Sequence, residues 1–161
     1  MSVYTLIRTQ LIRRPLREVF AFFENPQNLE RITPDTVGFR ILTPLPVTMK
    51  TGAVIDYTIR VFGLRRFWTT LITDYEPPHR FVDVQLKGPY AFWHHTHAFE
   101  ETVEGTLMHD TVRYLVPFGV VGRLIHGLLV SRQLRKIFDY RAAVIADHFE
   151  PYRAVAGERH R

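Results

Sequence analysis

The chain has 161 residues, 46% of them hydrophobic and 13% aromatic, which is the size of one ordinary domain with enough apolar surface for a single core. It contains no cysteine, and this excludes disulfide bridges, thiolate metal sites and cysteine nucleophiles. The net charge of +5 raises nucleic acid as a partner, but the basic residues are scattered and no nucleic-acid motif accompanies them. Composition therefore favours a small globular domain that does not bind nucleic acid.

No segment of the chain has the features of a membrane or export signal. Three arginines interrupt residues 8–14, and no apolar stretch reaches the roughly 18 residues that a spanning helix needs. We therefore expect a soluble, cytoplasmic protein. A basic cluster at Arg132, Arg135 and Lys136 is most simply a solvated helix face, so the sequence disfavours membrane contact, while a homodimer stays open.

The first part of the chain predicts a strand followed by two short helices. Residues 3–13 are rich in β-branched and apolar side chains, which is typical of a strand. Pro15 suits the first turn of a helix, and apolar residues recur at helical spacing through 16–23. Asn25, followed by a proline, offers a cap for a second helix that ends near Arg31.

From Thr36 onward, apolar and polar residues alternate and turn residues recur at intervals of about ten positions, which indicates successive antiparallel strands. One face of such a sheet is buried and the other is wet. The predicted strands are residues 36–42, 53–62, 64–75, 80–86, 91–103 and 107–116.

The last regular segment, residues 118–149, predicts one long helix with an apolar side. Pro117 and three glycines in its first third predict an irregular or kinked start. At 1.5 Å per residue the helix would span about 45 Å, enough to lie across a whole curved sheet. An antiparallel sheet with helices on one side is an α+β fold, formed here by residues 1–150, with 151–161 as a tail.

The run from Trp93 to Phe99 is the most informative stretch of the chain. Strand alternation places Trp93, His95, His97 and Phe99 on one face, so that two imidazoles lie between two large rings. As a metal site the pair would need a third ligand. The nearby candidates are Asp83, Glu100, Glu101, His109 and Asp110.

None of these candidates forms a fixed motif with the pair, so the sequence predicts neither a metal nor another cofactor. As a general acid or base, His95 or His97 could move a proton with Asp83, Asp110 or Tyr114 as its partner. As polar anchors or cross-strand hydrogen-bond partners, the histidines need no chemistry at all. No phosphate-binding loop or nucleophile elbow occurs, and we favour a binding domain over an enzyme.

The register of the neighbouring strand decides which residues the histidines face. If Gly88-Pro89 forms a two-residue turn, His95 lies opposite Val82 in an apolar layer. A loop one residue longer places Asp83 opposite His95 and creates a polar network. The sequence leaves both registers open.

Three segments, residues 15–26, 75–81 and 88–99, carry a resemblance to known proteins. They read PLREVFAFFENP, YEPPHRF and GPYAFWHHTHAF. These segments and the order of elements resemble the SRPBCC superfamily of START-like lipid-transfer domains, polyketide cyclases and plant pathogenesis-related allergens. The resemblance is strongest to a bacterial ligand-binding branch and covers residues 3–149.

The resemblance implies a helix-grip fold, in which a curved seven-stranded antiparallel sheet wraps around the C-terminal helix and leaves a hydrophobic cavity. It also implies binding or carriage of a hydrophobic or aromatic small molecule, such as a lipid, polyketide or isoprenoid. The alternative is a cyclase or dehydratase that uses His95 or His97 with Asp83. By position and alternation, the expected cavity residues are Tyr57, Ile59, Trp93, His95, His97, Phe99, Val112, Tyr114, Leu124 and Leu128.

Overall fold

The computed structural model describes residues 3–117 and 119–149, except for the side chains of Arg123, Ile125, His126 and Leu128. The predicted tail, residues 151–161, lies outside the described residues. The elements are β1 (Tyr4–Ile12), α1 (Leu16–Phe23), α2 (Pro26–Arg31), β2 (Arg40–Ile41), β3 (Val54–Val61), β4 (Leu64–Glu76), β5 (Arg80–Lys87), β6 (Phe92–Thr102), β7 (Gly105–Leu115), α3 (Gly119–Ile125) and α4 (Ser131–Phe149).

The strands form one antiparallel sheet in the order β1-β7-β6-β5-β4-β3-β2. The first strand therefore pairs with the last, with Tyr4 opposite Tyr114 and Ile12 opposite Thr106. The other neighbours are consecutive in sequence and pair as a meander. This architecture confirms the predicted α+β helix-grip fold with seven strands and two short helices after the first.

The two short helices begin where the sequence predicted. Pro15 precedes α1, and its fixed φ of −59° suits a helix start. The Asn25 side chain accepts a hydrogen bond from the backbone N–H of Gln27 at 3.1 Å and so caps α2. Residues at the N-terminus of each helix thus determine where it begins.

The predicted strand at residues 36–42 is largely wrong. Asp35–Val37 forms a single turn of 3₁₀ helix, and only Arg40–Ile41 pairs with β3. The physical reason is Gly38, whose φ of 56° lies in the left-handed region and breaks the extended backbone. The edge of the sheet beside the cavity is consequently short.

The C-terminal helix is long but interrupted, as the glycines and Pro117 predicted. A π-helical segment at residues 126–130 separates α3 from α4. Because a π-helix has more residues per turn than an α-helix, it rotates the faces on its two sides relative to each other. Leu124 is accordingly 65% exposed, whereas Leu134 and Phe138 on α4 are buried. No helix in the described part of the chain has the length and hydropathy to span a membrane.

Two apolar clusters hold the helices onto the sheet. At one end, Phe20 on α1 packs edge-on against Phe81 and Phe99, with ring centroids 6.0 and 5.5 Å away. At the other end, Leu134 and Phe138 on α4 belong to a cluster with strand β7. The helices therefore contact the sheet at both ends and leave space between.

Candidate functional site

A cavity of about 190 Å³ lies between the inner face of the sheet and the helices α2 and α4. Apolar and aromatic side chains form most of its wall, and β5, β6 and α4 contribute the polar residues Asp83, His95, His97, Gln133 and Arg141. The predicted site residues that line this cavity are Tyr57, Ile59, Trp93, His95 and His97.

Four other predicted lining residues with described side chains do not line the cavity. Phe99, Val112 and Tyr114 are on the inner face but buried in the two apolar clusters, because α1 and α4 cover them. Leu124 lies outside the cavity and is exposed, since the π-helical segment turns α3 away. The side chain of Leu128 is outside the described residues.

Aromatic side chains form a rigid part of the cavity wall. The rings of Tyr57 and Trp68 stack at 5.7 Å, and Trp68 meets Trp93 edge-on at 5.2 Å. Tyr57 Oη lies 3.1 Å from Thr70 Oγ1, and Trp68 Nε1 donates to the same oxygen at 3.0 Å. Burial raises the pKa of Tyr57, so this phenol stays neutral. Thr70 and Trp68 were not identified from the sequence.

Two histidines and two aspartates meet on the polar part of the wall. Asp83 lies opposite His95 across β5 and β6, which is the register with the longer loop. Asp110 lies opposite His97 across β6 and β7. We call Asp83, His95, His97 and Asp110 the His–Asp cluster. All four side chains point inward, and each histidine lies close to both acids.

The four nitrogen-to-oxygen contacts in the cluster are not equivalent. Hydrogen bonds join His95 Nε2 to Asp110 Oδ1 at 2.9 Å and His97 Nε2 to Asp83 Oδ2 at 3.2 Å. His95 Nδ1 lies 3.4 Å from Asp83 Oδ2. His97 Nδ1 lies 2.9 Å from Asp110 Oδ1, but the angle is too poor for a hydrogen bond. The nitrogens of both rings are therefore held between the same two carboxylates.

The surroundings of the two histidines shift their pKa values in opposite directions. Burial by itself lowers the pKa of both, but Asp110 and Asp83 outweigh it at His97, whose pKa is raised. Burial and the neighbouring charge of His97 prevail at His95, whose pKa is lowered. Burial would raise the pKa of each acid, and the histidines hold both pKa values below the usual range. The cluster thus favours the protonated form of His97 and the neutral form of His95.

Arg141 on α4 is a cavity residue that the sequence analysis missed. It is 8% exposed, its guanidinium carbon lies 4.8 Å from the Phe138 ring centroid, and its Nε has no hydrogen-bond partner in the described part of the chain. Burial lowers its pKa, although Asp110 and Asp83 oppose this. The sequence signal was present, because Arg141 occupies a helical position between Phe138 and Ile145, both buried.

Of the candidate third metal ligands, only Asp83 lines the cavity beside the two histidines. The ligand atoms of Asp83, His95 and His97 lie within 4.8 Å of one another and could hold a cation. Glu100 and Glu101 are exposed. The remaining candidates, His109 and Asp110, are consecutive on β7, so their side chains lie on opposite faces of the sheet. His109 is on the outer face, 3.1 Å from Thr9.

A protein-family model described as polyketide cyclase / dehydrase and lipid transport matches residues 12–139. No curated protein sequence matches the chain. Among solved structures, an aromatase/cyclase from Streptomyces sp. R1128 is 16% identical, with 97% of this chain and 99% of that chain covered and a TM-score of 0.71.

Two further solved structures have the same fold. A protein from Thermus thermophilus is 13% identical, with 91% of this chain and 97% of that chain covered and a TM-score of 0.72. Major latex-like protein 151 from Panax ginseng is also 13% identical, with 92% and 99% covered and a TM-score of 0.67. At these identities, the similarity extends to the fold alone.

Proposed function

The chain belongs to the polyketide cyclase/dehydrase and lipid transport family, as its resemblance to the SRPBCC superfamily predicted, and we propose that its cavity binds a compact aromatic or alicyclic small molecule. The observation that carries this proposal is the composition of the wall. Aromatic and aliphatic side chains form most of the wall, and Asp83, His95, His97 and Arg141 bring charged and polar groups to it. Such a site derives affinity from apolar burial and orientation from a few polar groups.

The size of the cavity narrows the ligand class. At about 190 Å³ it is smaller than the roughly 300–1,000 Å³ typical of sites for drug-sized ligands. One or two rings fit this volume better than a long acyl chain. Of the lipid, polyketide and isoprenoid classes, a short cyclic polyketide or isoprenoid therefore fits best.

The polar side of the wall favours a ligand with an oxygen at one end. Arg141 brings hydrogen-bond donors to the cavity wall, and His95 and His97 bring ring nitrogens. The stacked Tyr57 and Trp68 offer flat surfaces to the apolar part of the ligand. A hydroxylated or carbonyl-bearing ring satisfies both requirements.

Naphthol is a suitable probe because it combines two rings with one hydroxyl group. We expect saturable binding to the intact protein, and native mass spectrometry should detect a complex. Ile59→Trp fills part of the cavity and should weaken naphthol binding at least tenfold, about 1.4 kcal/mol. Ile7→Trp is the matched control, since Ile7 is 62% exposed on β1 and should leave binding unchanged.

Failure of the folded wild-type protein to bind naphthol, or any ring of similar size, would rule out the proposed function. Equal binding by the Ile59→Trp variant would place the probe outside the cavity and also contradict the proposal. Circular dichroism of both variants establishes that they are folded before the comparison is made.

A cyclase or dehydratase activity is the second candidate, favoured by the acid–base geometry of the cluster. His95 and His97 line the cavity, and each is close to a carboxylate that can orient it. The test is incubation with a linear triketone that can close to a phenolic ring with loss of one water. Turnover abolished by His97→Gln but retained by His94→Gln supports the enzyme, whereas turnover equal to the buffer blank excludes it for this substrate class.

A further inference from the structure

We propose that Asp83, His95 and His97 form a binding site for a divalent transition-metal ion, with zinc as the best fit. The three residues supply two imidazole nitrogens and one carboxylate oxygen from neighbouring strands of a rigid sheet. This inference is independent of the proposed ligand, because the metal site and the apolar part of the cavity can be tested separately.

The spacing of the ligand atoms supports the site. Asp83 Oδ2 lies 3.4 Å from His95 Nδ1 and 3.2 Å from His97 Nε2. With metal-to-ligand bonds of about 2.0–2.1 Å, two ligand atoms are about 2.9 Å apart at a right angle and about 3.4 Å apart at the tetrahedral angle. The two measured separations lie within that range.

Asp110 occupies the position of a residue that orients metal ligands. Histidines that bind a metal through one ring nitrogen commonly donate the other N–H to a carboxylate. Asp110 Oδ1 is hydrogen-bonded to His95 Nε2 at 2.9 Å and lies 2.9 Å from His97 Nδ1 without forming a hydrogen bond, and Asp83 contacts neither of these nitrogens. One buried carboxylate thus faces both histidines on the side away from the proposed metal.

The charges and donor types of the site also fit. Asp83 and Asp110 together balance a divalent cation once both imidazoles are neutral. Imidazole suits zinc, copper, iron and nickel, whereas magnesium and calcium prefer oxygen ligands alone. Three protein ligands leave at least one coordination position open toward the cavity that all three residues line. Arg141 lies on the same wall, where it could accompany an anionic fourth ligand.

The test is titration of the full chain, first freed of metal by dialysis against EDTA, with zinc or cobalt(II) alone. Isothermal titration calorimetry should give one site per chain, with a dissociation constant on the order of 1 µM or lower. Cobalt(II) should in addition produce visible absorption bands of a low-coordinate site, which zinc then displaces.

Matched variants assign the ligands. Asp83→Asn keeps the shape of the side chain and should weaken zinc binding about 100-fold, as should His97→Gln, because each removes one metal bond. His94→Gln is the control, since His94 is the neighbour of His95 on the other face of β6 and should leave the affinity unchanged. Asp110→Asn should weaken binding by about 10–100-fold and alter the cobalt spectrum while one site per chain remains.

Two results would overturn the proposal. One is the absence of zinc and cobalt binding by the folded wild-type protein at about 100 µM metal, well above the expected dissociation constant. The other is binding that Asp83→Asn and His97→Gln leave intact, which would assign the metal to surface histidines. If Asp83→Asn fails to fold, the His97→Gln variant and the wild-type cobalt spectrum decide the question. Naphthol binding without metal binding would retain the proposed function and reject the metal site.

Discussion

Asp110 Oδ1 lies 2.9 Å from His95 Nε2, and both side chains are buried between the sheet and α4. An acid at this depth persists as a carboxylate only because cationic and hydrogen-bonding groups surround it. His97 and Arg141 provide the positive charge, and His95 provides a hydrogen bond. The His–Asp cluster is therefore a set of mutually dependent charges, in which the loss of one member affects the others.

Removing the charge of Asp110 should destabilise the protein strongly. In the Asp110→Asn variant the buried imidazolium of His97 loses its nearest counter-charge, and we expect a loss of about 3 kcal/mol in the free energy of unfolding. Urea denaturation of metal-free protein at neutral pH measures the loss. Asp139→Asn is the control, because Asp139 pairs with Arg8 at the surface, is 68% exposed and should cost about 0.5 kcal/mol or less. Equal effects of the two substitutions would contradict the electrostatic role of Asp110.

The two histidines should titrate on opposite sides of the ordinary histidine pKa. Nuclear magnetic resonance of the imidazole signals in metal-free protein should show His97 above about 6.5 and His95 below it. Asp110→Asn should lower the pKa of His97. A single shared pKa near 6.5 for His95 and His97 would contradict the asymmetry of the cluster.

These shifts set the sign of the pH dependence of stability. The raised pKa of His97 stabilises the fold below the unfolded pKa of about 6.5, and that contribution is lost as pH rises through its folded pKa. The lowered pKa values of Asp83 and Asp110 stabilise the fold above about pH 4, and that contribution is lost on acidification. His95 also destabilises the fold in acid. Its pKa is lowered in the folded state, so the unfolded chain binds the proton more readily than the folded chain does. We expect urea midpoints of metal-free protein to fall steeply below about pH 4.

Strand alternation has a period of two and therefore predicted that Trp93, His95, His97 and Phe99 share one face of β6, but not that this face points inward. It could not choose between the two registers of β5 and β6. One residue in the loop after Gly88 decides whether Val82 or Asp83 faces His95, and several loop lengths are compatible with a glycine and a proline. The His–Asp cluster thus depends on the register that places Asp83 opposite His95.

The positions of Leu124 and Arg141 were harder to predict, for different reasons. The position of Leu124 depends on the π-helical segment, and no local residue pattern distinguishes such a segment from a kink. The sequence analysis did not consider Arg141. The acids that interact with its charge, Asp83 and Asp110, are distant in sequence.

Tryptophan fluorescence should report occupancy of the cavity. The chain has two tryptophans, Trp68 and Trp93, and both line the cavity. A ring that enters beside them replaces water or empty space, and we expect saturable quenching or an emission shift on addition of naphthol. Ile59→Trp is unsuitable here, so Ile59→Phe serves as the blocked variant and should reduce the amplitude. A spectrum that stays unchanged while native mass spectrometry detects a complex would place the ligand outside the cavity.

Gly105 at the turn between β6 and β7 should tolerate substitution poorly. Its φ is 137°, and a Cβ there would lie 2.3 Å from the carbonyl oxygen of Ile12 and 2.8 Å from Arg13 Cα. Because both neighbouring atoms are backbone, the clash can be relieved only by moving the end of β1 away from β7. Gly105→Ala should therefore cost at least about 3 kcal/mol of unfolding free energy, more than backbone strain alone.

Two other glycines distinguish the cost of the steric clash from the cost of backbone strain. Gly63 has a φ of 79°, but a methyl group added there would meet no described atom within 4 Å, so Gly63→Ala should cost only about 1–2 kcal/mol from strain. Gly127 has neither a positive φ nor a described neighbour within 4 Å of such a methyl group, and Gly127→Ala should be neutral or stabilising by up to about 1 kcal/mol. Urea denaturation should rank the variants Gly105→Ala, Gly63→Ala and Gly127→Ala from least to most stable. A Gly105→Ala variant as stable as Gly63→Ala would mean that β1 can move from β7 without cost, contrary to the close pairing of the first and last strands.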